Sequence, residues 1–211
     1  MIMYNAPSDI QTNRFEDDVA GLVTRLARDP LPERPIAFYG SSSFRLWGSV
    51  NRDLGTLDIV NLGFGGGTYL SGVHYFETLL APLNPQRVVL YFGENDIAND
   101  GLTGRSTFAN FLRLQERIFA AFPEAEVFVL ETKQSPTRWI YADEVKTLNA
   151  MQRDWCETQP VVRFVPTCAG LIGENGRPIG RYYKDDFIHL NDAGYAVWSK
   201  VLRNEPCLLD R

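Results

Sequence analysis

The chain contains two histidines, so few side chains are available for general acid–base chemistry near neutral pH. Asp186 lies three residues before His189. If this stretch turns back on itself, the carboxylate can accept a hydrogen bond from Nδ1–H of the ring and leave Nε2 free to take a proton. The other histidine, His74, has only Glu77 at an obvious orienting spacing, and we interpret it as structural. The spacing therefore indicates His189 as the candidate base.

A cluster of three serines follows a short apolar run that ends at Gly40. Ser41, Ser42 and Ser43 stand where a strand is expected to pass into a helix. A hydroxyl exposed at such a turn can act as a nucleophile when a histidine lies beside it. By itself, however, a serine cluster before a helix is more typical of capping and turn formation.

Two further segments carry groups that could stabilise a developing negative charge. Residues 61–68 contain four glycines, which implies positive φ angles or a close approach of the backbone to a ligand. This segment lacks the GK[ST] and GxGxxG patterns of phosphate and dinucleotide sites. In residues 93–96, the amide of Asn95 could donate a hydrogen bond to an oxyanion. An Asx-turn is the more common use of an isolated asparagine in that position.

The composition argues against several other classes of protein. The three cysteines form no CxxC pair, and with two histidines they favour neither a zinc site nor a disulfide framework. The net charge of −5 gives no general attraction to nucleic acid or anionic lipid. We therefore expect no metal, no cofactor and no nucleic-acid partner.

The chain length and its termini suggest a simple organisation. At roughly 100–200 residues per domain, residues 1–211 are expected to form a single domain. The N-terminal residues show no signal-peptide pattern, and no segment approaches the ~20 apolar residues of a membrane span. The expected location is the cytoplasm. The sequence does not determine the oligomeric state, and a homo-oligomer is compatible with it.

Short apolar runs alternate along the chain with segments of helical spacing. The predicted strands are residues 35–40, 58–62, 87–93, 126–131 and 161–165, and the predicted helices are residues 14–28, 68–81, 105–121, 141–157 and 192–203. Asn191 or Asp192 is the expected N-cap of the last helix. The alternation predicts an α/β fold with a parallel sheet between two helical layers. In such folds ligands bind beyond the carboxyl ends of the strands, where the serines, the glycines and Asn95 are expected.

Taken together and in this order, these segments resemble the SGNH (GDSL-type) hydrolase superfamily over about residues 38–194. Residues 40–43 are similar to the first block of the family, with serine where many members have aspartate. Residues 61–68 are similar to the second block, residues 93–96 to the third (GxND) and residues 186–189 to the fifth (DxxH). The resemblance implies a three-layer α/β/α sandwich, flavodoxin-like, with a central, mainly five-stranded parallel sheet.

The resemblance also implies roles for particular residues. Ser42, His189 and Asp186 correspond to a catalytic triad, although the run of three serines leaves the register of the nucleophile open. The oxyanion donors correspond to the backbone N–H of Ser42, the backbone N–H of Gly66 and the side-chain amide of Asn95. The positions to which neither the resemblance nor the residue types assign a role are Arg45, Trp47, Glu94 and residues 133–139.

The activity implied by this resemblance is that of a serine esterase acting on a small-molecule ester through an acyl-enzyme. Because no apolar lid segment is evident, short acyl groups are expected, acetyl above all, on a small metabolite or carbohydrate. An acyltransferase, a thioesterase or a lysophospholipase on the same scaffold remains an alternative. A binding module without catalytic activity is another alternative.

Overall fold

The computed structural model describes residues 14–210 and contains one five-stranded parallel sheet. Its strands are β1 (Ile36–Gly40), β2 (Ile59–Gly63), β3 (Arg87–Tyr91), β4 (Glu126–Leu130) and β5 (Val162–Val165). Their order across the sheet is β2-β1-β3-β4-β5, and every neighbouring pair is parallel. The predicted strands and the predicted α/β class are thus confirmed. Residues 1–13 and 211 of the predicted domain lie outside the described residues.

Eight α-helices connect or flank these strands within the described residues. They are α1 (Glu16–Arg28), α2 (Ser42–Arg45), α3 (Val50–Leu54), α4 (Tyr69–His74), α5 (Glu94–Ala98), α6 (Gly104–Ala121), α7 (Ala142–Cys156) and α8 (Asp192–Arg203). The five predicted helices correspond to α1, α4, α6, α7 and α8. In α8 the N-cap is Asn191, whose side chain accepts a hydrogen bond from the Gly194 N–H at 3.1 Å.

The helix predicted for residues 68–81 ends earlier than expected. Helix α4 stops at His74 and is followed by a π-helical turn, Phe76–Leu80, and a 3-10 turn, Ala81–Leu83. Pro82 has no N–H to donate and cannot extend an α-helix from within.

Each face of the sheet packs against its own helical layer. Along β1, Ala37 and Tyr39 belong to the apolar cluster shared with α1, α4 and α6, whereas Ile36 and Phe38 belong to the cluster shared with α3 and α8. This alternation follows from the two-residue period of a strand. Both faces are apolar because both are covered. No helix of the described chain has the length and apolar character needed to cross a bilayer.

The register of the sheet brings three connecting segments to one place. Gly40 lies opposite Gly63 of β2 and opposite Tyr91 of β3. The chain therefore leaves β1, β2 and β3 at the same level of the carboxyl edge. Because β1 lies between β2 and β3, this edge is also the point at which the strand order reverses, where open α/β sheets bind ligands.

Candidate active site

The end of β1 places Ser42 in a close-packed turn. A Cβ at Gly40 would lie 2.6 Å from the Tyr91 carbonyl oxygen, so glycine allows β1 to end against β3. Ser42 follows as the first residue of α2 and is partly exposed, whereas Ser41 and Ser43 are only 3% and 1% exposed. Among the three serines, Ser42 is therefore the one that a substrate can approach.

The predicted base and acid lie beside this serine. Nε2 of His189 is 2.9 Å from Oγ of Ser42, and Nδ1 of His189 is 2.6 Å from Oδ2 of Asp186. The other carboxylate oxygen, Oδ1, accepts the backbone N–H groups of Ile188 at 2.8 Å and His189 at 2.9 Å. Phe187 takes a positive φ of 53° in this turn, a conformation that non-glycine residues rarely adopt. The structure thus brings Ser42, His189 and Asp186 into one hydrogen-bonded line.

The environment of Asp186 favours its charged form. Partial burial opposes ionisation, but the hydrogen bonds from the His189 ring and from two backbone N–H groups outweigh it and hold the pKa of Asp186 well below its usual range. The carboxylate is therefore ionised at neutral pH and can stabilise a protonated His189 ring.

His74 lies apart from this arrangement. It is exposed at the end of α4, and its ring contacts that of Tyr75 edge-on with centroids 4.6 Å apart. Glu77, the one carboxylate at a suitable spacing, is paired with Arg117 at 3.1 Å. His74 thus lies on a helix surface, as the structural interpretation expects.

The glycine-rich segment after β2 contains the positive φ that its composition predicts. Gly66 has a φ of 69°. Just before it, the Gly65 N–H donates to the carboxylate of Asp18 in α1 at 2.6 Å. Within residues 14–210, neither the Gly66 N–H nor the Ser42 N–H makes a hydrogen bond to the protein. Both donors at the strand ends are therefore available to a ligand.

Asn95 lies in the first turn of α5 rather than in an Asx-turn. Its side-chain amide donates from Nδ2 to the Gly67 carbonyl at 3.0 Å, which joins the segment after β3 to the segment after β2. Its Oδ1 accepts from Arg138 at 3.1 Å and from Asn99 at 3.2 Å. The amide is buried and held on both sides.

The structure also shows the contacts of the residues that have no role assigned from sequence. Glu94 is buried and forms an ion pair with the buried Lys133. Trp47 is buried, donates from Nε1 to Asp53 at 2.9 Å and stacks on Tyr195, which makes it part of the core. Arg45 contacts Asp18 at 3.4 Å.

Two carboxylates that support the site are not recognisable as such from sequence. Asp96 is fully buried and accepts the backbone N–H of Tyr69 at 3.0 Å and that of Gly93 at 3.1 Å. It thereby ties the start of α4 to the end of β3. Asp18, in α1, accepts the backbone N–H of Gly65, which lies 47 positions later in the sequence. Asp96 lies within the GxND block, whereas nothing in the local pattern distinguishes Asp18 from its acidic neighbours.

Comparison with known families shows to which class a protein with this arrangement of Ser42, His189 and Asp186 belongs. A profile of the GDSL-like lipase/acylhydrolase family matches residues 32–197, which is most of the chain. The chain belongs to this family. It is accordingly an ester-hydrolysing enzyme, and the resemblance in the sequence blocks is confirmed.

Solved structures support the same fold for this acylhydrolase. A Streptococcus pneumonia protein with the provisional name platelet activating factor has a TM-score of 0.78 at 21% identity, over 92% of this chain and 95% of its own. A GDSL-like lipase from Bacteroides thetaiotaomicron has a TM-score of 0.74 at 21% identity, over 88% and 95%. A carbohydrate esterase family 3 protein from Talaromyces cellulolyticus has a TM-score of 0.66 at 15% identity, over 81% and 93%. A search of curated proteins found no match.

Other features of the acylhydrolase lie away from Ser42. A cavity of about 430 Å³ between α1 and the β2 edge is lined by residues that include Asp18, Arg25 and Asn61 but neither Ser42 nor His189. Burial raises the pKa of the Cys156 thiol to about 12, so it is not a reactive thiolate. In residues 14–210, no group of three or more His, Cys, Asp or Glu side chains is arranged to hold a metal ion.

Proposed function

We propose that this acylhydrolase is a serine esterase that hydrolyses short-chain carboxylic esters, acetyl esters above all, of a small metabolite or carbohydrate. The observation that carries the proposal is the line of hydrogen bonds from Ser42 Oγ through the His189 ring to Asp186, with lengths of 2.9 and 2.6 Å. Such a line is what proton transfer from a serine hydroxyl to a histidine requires.

In the proposed first step, Ser42 Oγ attacks the ester carbonyl while its proton passes to Nε2 of His189. Asp186 holds the ring through Nδ1 and stabilises the imidazolium that forms. The protonated ring then gives its proton to the leaving alcohol as the carbon–oxygen bond breaks, which leaves the acyl group on Ser42. Water then attacks the acyl-enzyme as it gives a proton to Nε2 of His189, and the bond between the acyl carbon and Ser42 Oγ breaks. His189 returns that proton to Oγ, which releases the acid and restores the enzyme.

Each tetrahedral intermediate carries a negative charge on the former carbonyl oxygen. We assign its stabilisation to the N–H of Ser42, the N–H of Gly66 and the side-chain amide of Asn95. The two backbone donors have no partner within the described residues, and the strand register puts their segments at the same edge of the sheet. Fixed donors of this kind lower the barrier because they need no reorganisation as the charge develops.

The preference for a short acyl group rests on how little apolar surface adjoins Ser42. The large apolar side chains that are exposed in the described chain are Val23, Leu31, Leu57, Ile140, Tyr141 and Phe187. Of these, Phe187 is adjacent in sequence to the triad carboxylate. Binding a long acyl chain would require burying far more apolar area, at roughly 25 cal/mol per Å². One structural neighbour, from Talaromyces, is named as a carbohydrate esterase, which is in line with a sugar ester.

The test combines one variant with two measurements. Ser42→Ala is expected to abolish both the hydrolysis of p-nitrophenyl acetate and covalent labelling by a fluorophosphonate, because it removes the nucleophile without changing the fold. Ser41→Ala is the matched control, since Ser41 is the adjacent serine and its side chain forms no cap bond. Retention of both activities in Ser42→Ala would exclude Ser42 as the nucleophile.

The substrate class needs a separate experiment. A series of p-nitrophenyl esters from acetyl to decanoyl, assayed beside acetylated sugars, is expected to give the highest kcat/KM at acetyl. A rise in kcat/KM towards the longer chains would contradict the proposed preference. Adding glycerol or a free sugar and analysing the products tests whether an alcohol replaces water in the second step.

A further inference from the structure

A cluster of buried charges lies beside Asn95. The carboxylate of Glu94 is 7% exposed and faces the ammonium of Lys133, which is 1% exposed, and the guanidinium of Arg138, which is 17% exposed. Ser135 donates a further hydrogen bond to Glu94 Oε1 at 2.7 Å. Buried ion pairs of this kind often add no net stability, because desolvation offsets their attraction. Stability alone therefore does not explain why the cluster is present.

The position of the cluster follows from the sheet. Glu94 comes three residues after β3, and Lys133 comes three residues after β4, the adjacent parallel strand. The backbone on both sides of Thr132 is clamped by Asn149, which accepts the Thr132 N–H at 2.9 Å and donates to its carbonyl at 2.8 Å. The segment that carries Lys133, Ser135 and Arg138 therefore leaves the sheet in a fixed direction.

Arg138 links this cluster to the Asn95 amide. Its Nη1 lies 3.6 Å from Glu94 Oε1 and donates to Asn95 Oδ1 at 3.1 Å, while its Nη2 donates to Asn99 Oδ1 at 3.0 Å. A guanidinium has donors only, so the atom of Asn95 that faces it must be the oxygen. The opposite side of the amide faces the Gly67 carbonyl, an acceptor, and must be the NH₂ group. These contacts exclude the flipped amide.

The remaining hydrogen-bonding capacity of Asn95 is then a single N–H. Its oxygen accepts from Arg138 and Asn99, and one N–H is used by Gly67. Because the amide is planar, fixing these contacts also fixes the direction of the second N–H. A cation hydrogen-bonded to the amide oxygen withdraws electron density and makes that N–H a stronger donor.

We propose that Arg138, held by Glu94, which is itself paired with Lys133, is a positioning residue that orients and polarises the Asn95 amide for the oxyanion. This inference rests on the proposed esterase function, in which Asn95 is one of the oxyanion donors. Arg138 itself does not touch the reacting atoms. Its contribution passes through Asn95 and disappears when Asn95 is removed.

The deciding experiment is a double-mutant cycle on hydrolysis of p-nitrophenyl acetate. Arg138→Met is expected to lower kcat by about 10-fold with KM changed less than about 2-fold, since the lost orientation matters only in the transition state. Arg138→Met in an Asn95→Ala background is expected to cause no further loss, because coupled residues are not additive. Arg138→Lys keeps the positive charge but loses the planar guanidinium that contacts two asparagines at once, and it is expected to give an intermediate kcat.

The control is Arg113→Met. Arg113 also donates to an asparagine oxygen, that of Asn110 at 3.4 Å, but on α6 and outside the cluster. Its removal is expected to leave kcat unchanged. Thermal unfolding of every variant shows whether a loss of kcat reflects a loss of folded protein.

The outcomes separate this inference from the esterase proposal. If Ser42→Ala is inactive but Arg138→Met lowers kcat by the same factor with and without Asn95, the esterase proposal stands and the positioning role of Arg138 is wrong. If the loss occurs only when Asn95 is present, the positioning role is supported. If Ser42→Ala keeps its activity and its fluorophosphonate labelling, both proposals fall.

Discussion

Among individual residues, Asn95 is the one whose substitution best separates an effect on substrate binding from an effect on catalysis. Its buried amide has one N–H uncommitted within the described residues, and the proposed mechanism uses that N–H only when an oxyanion forms. Asn95→Ala is therefore expected to lower kcat by about 10²–10³ while KM changes little. Steady-state kinetics on p-nitrophenyl acetate measure both constants.

A comparable asparagine provides the control for this prediction. Asn110 is also nearly buried on a helix, but it contacts Arg113 rather than the glycine-rich segment. Asn110→Ala is expected to keep kcat. A rise in KM with an unchanged kcat in Asn95→Ala would assign Asn95 to substrate binding and not to the oxyanion.

The carboxylate of Asp186 is expected to act through the orientation of His189. Asp186→Asn replaces the charged acceptor of the Nδ1–H hydrogen bond with a neutral amide, which can favour the wrong tautomer. The expected loss in kcat is about 10³–10⁴. The adjacent and exposed Asp185 gives the matched variant, Asp185→Asn, and equal activity in the two variants would contradict the role of Asp186.

The residues closest to the proposed chemistry could be inferred from sequence because they fall in short local patterns. Asp186 and His189 are three positions apart, and Ser42 and Asn95 come two and four residues after the ends of β1 and β3. Arg138 could not be inferred in the same way. Its contacts with Asn95 and Asn99 span 43 and 39 positions, and only the folded sheet brings these segments together.

On the scale of elements, α1 supports the glycine-rich segment from outside the sheet. Asp18 accepts the Gly65 N–H at 2.6 Å and contacts Arg45 after β1, so it braces the segments after two strands. Asp18→Ala is expected to lower kcat several-fold, because the adjacent Gly66 N–H loses its fixed direction. Steady-state kinetics, with circular dichroism to verify folding, test this.

The neighbouring Asp17 serves as the control for α1. It has the same charge and lies in the same helical turn, but it is exposed. Asp17→Ala is expected to retain kcat, which separates the contact of Asp18 from the general charge of the helix. Equal losses in Asp17→Ala and Asp18→Ala would remove the special role of Asp18.

The success of sequence prediction differed between long and short elements. The inner strands β1, β3 and β4 are predictable because burial on both faces gives a nearly continuous apolar run, and the longer helices because they repeat an apolar face. Helices α2, α3 and α5 have four or five residues, which is too few to show a helical period. They form because the chain must turn at the carboxyl edge of the sheet, and that constraint belongs to the tertiary structure.

On the scale of the whole molecule, the site depends on three strand ends being held at one level. The Asp96 carboxylate is part of this: it is completely buried and bonds to the backbone of Tyr69 and Gly93, on the segments that follow β2 and β3. A carboxyl group in this position couples the protonation of one side chain to the folding stability of the protein.

This coupling predicts how stability changes with pH. Burial raises the pKa of Asp96 to about 7, and Asp100 adds repulsion, although the backbone N–H groups of Tyr69 and Gly93 favour the charged form. Between the unfolded pKa of 3.8 and about 7, the folded state binds a proton that the unfolded state has lost, so stability falls as pH rises through this window. The free energy of unfolding, from urea titrations at pH 4.5 to 7.5, is expected to decrease by about 3 kcal/mol because of this group. Asp96→Asn is expected to remove this pH dependence of the free energy of unfolding.

Asp53→Asn is the control for this prediction. The pKa of Asp53 is lowered and its ionisation is complete below this pH range, so Asp53→Asn is expected to keep the pH dependence. If the free energy of unfolding changed equally with pH in the parent and in Asp96→Asn, Asp96 would be ionised throughout this range in the folded protein.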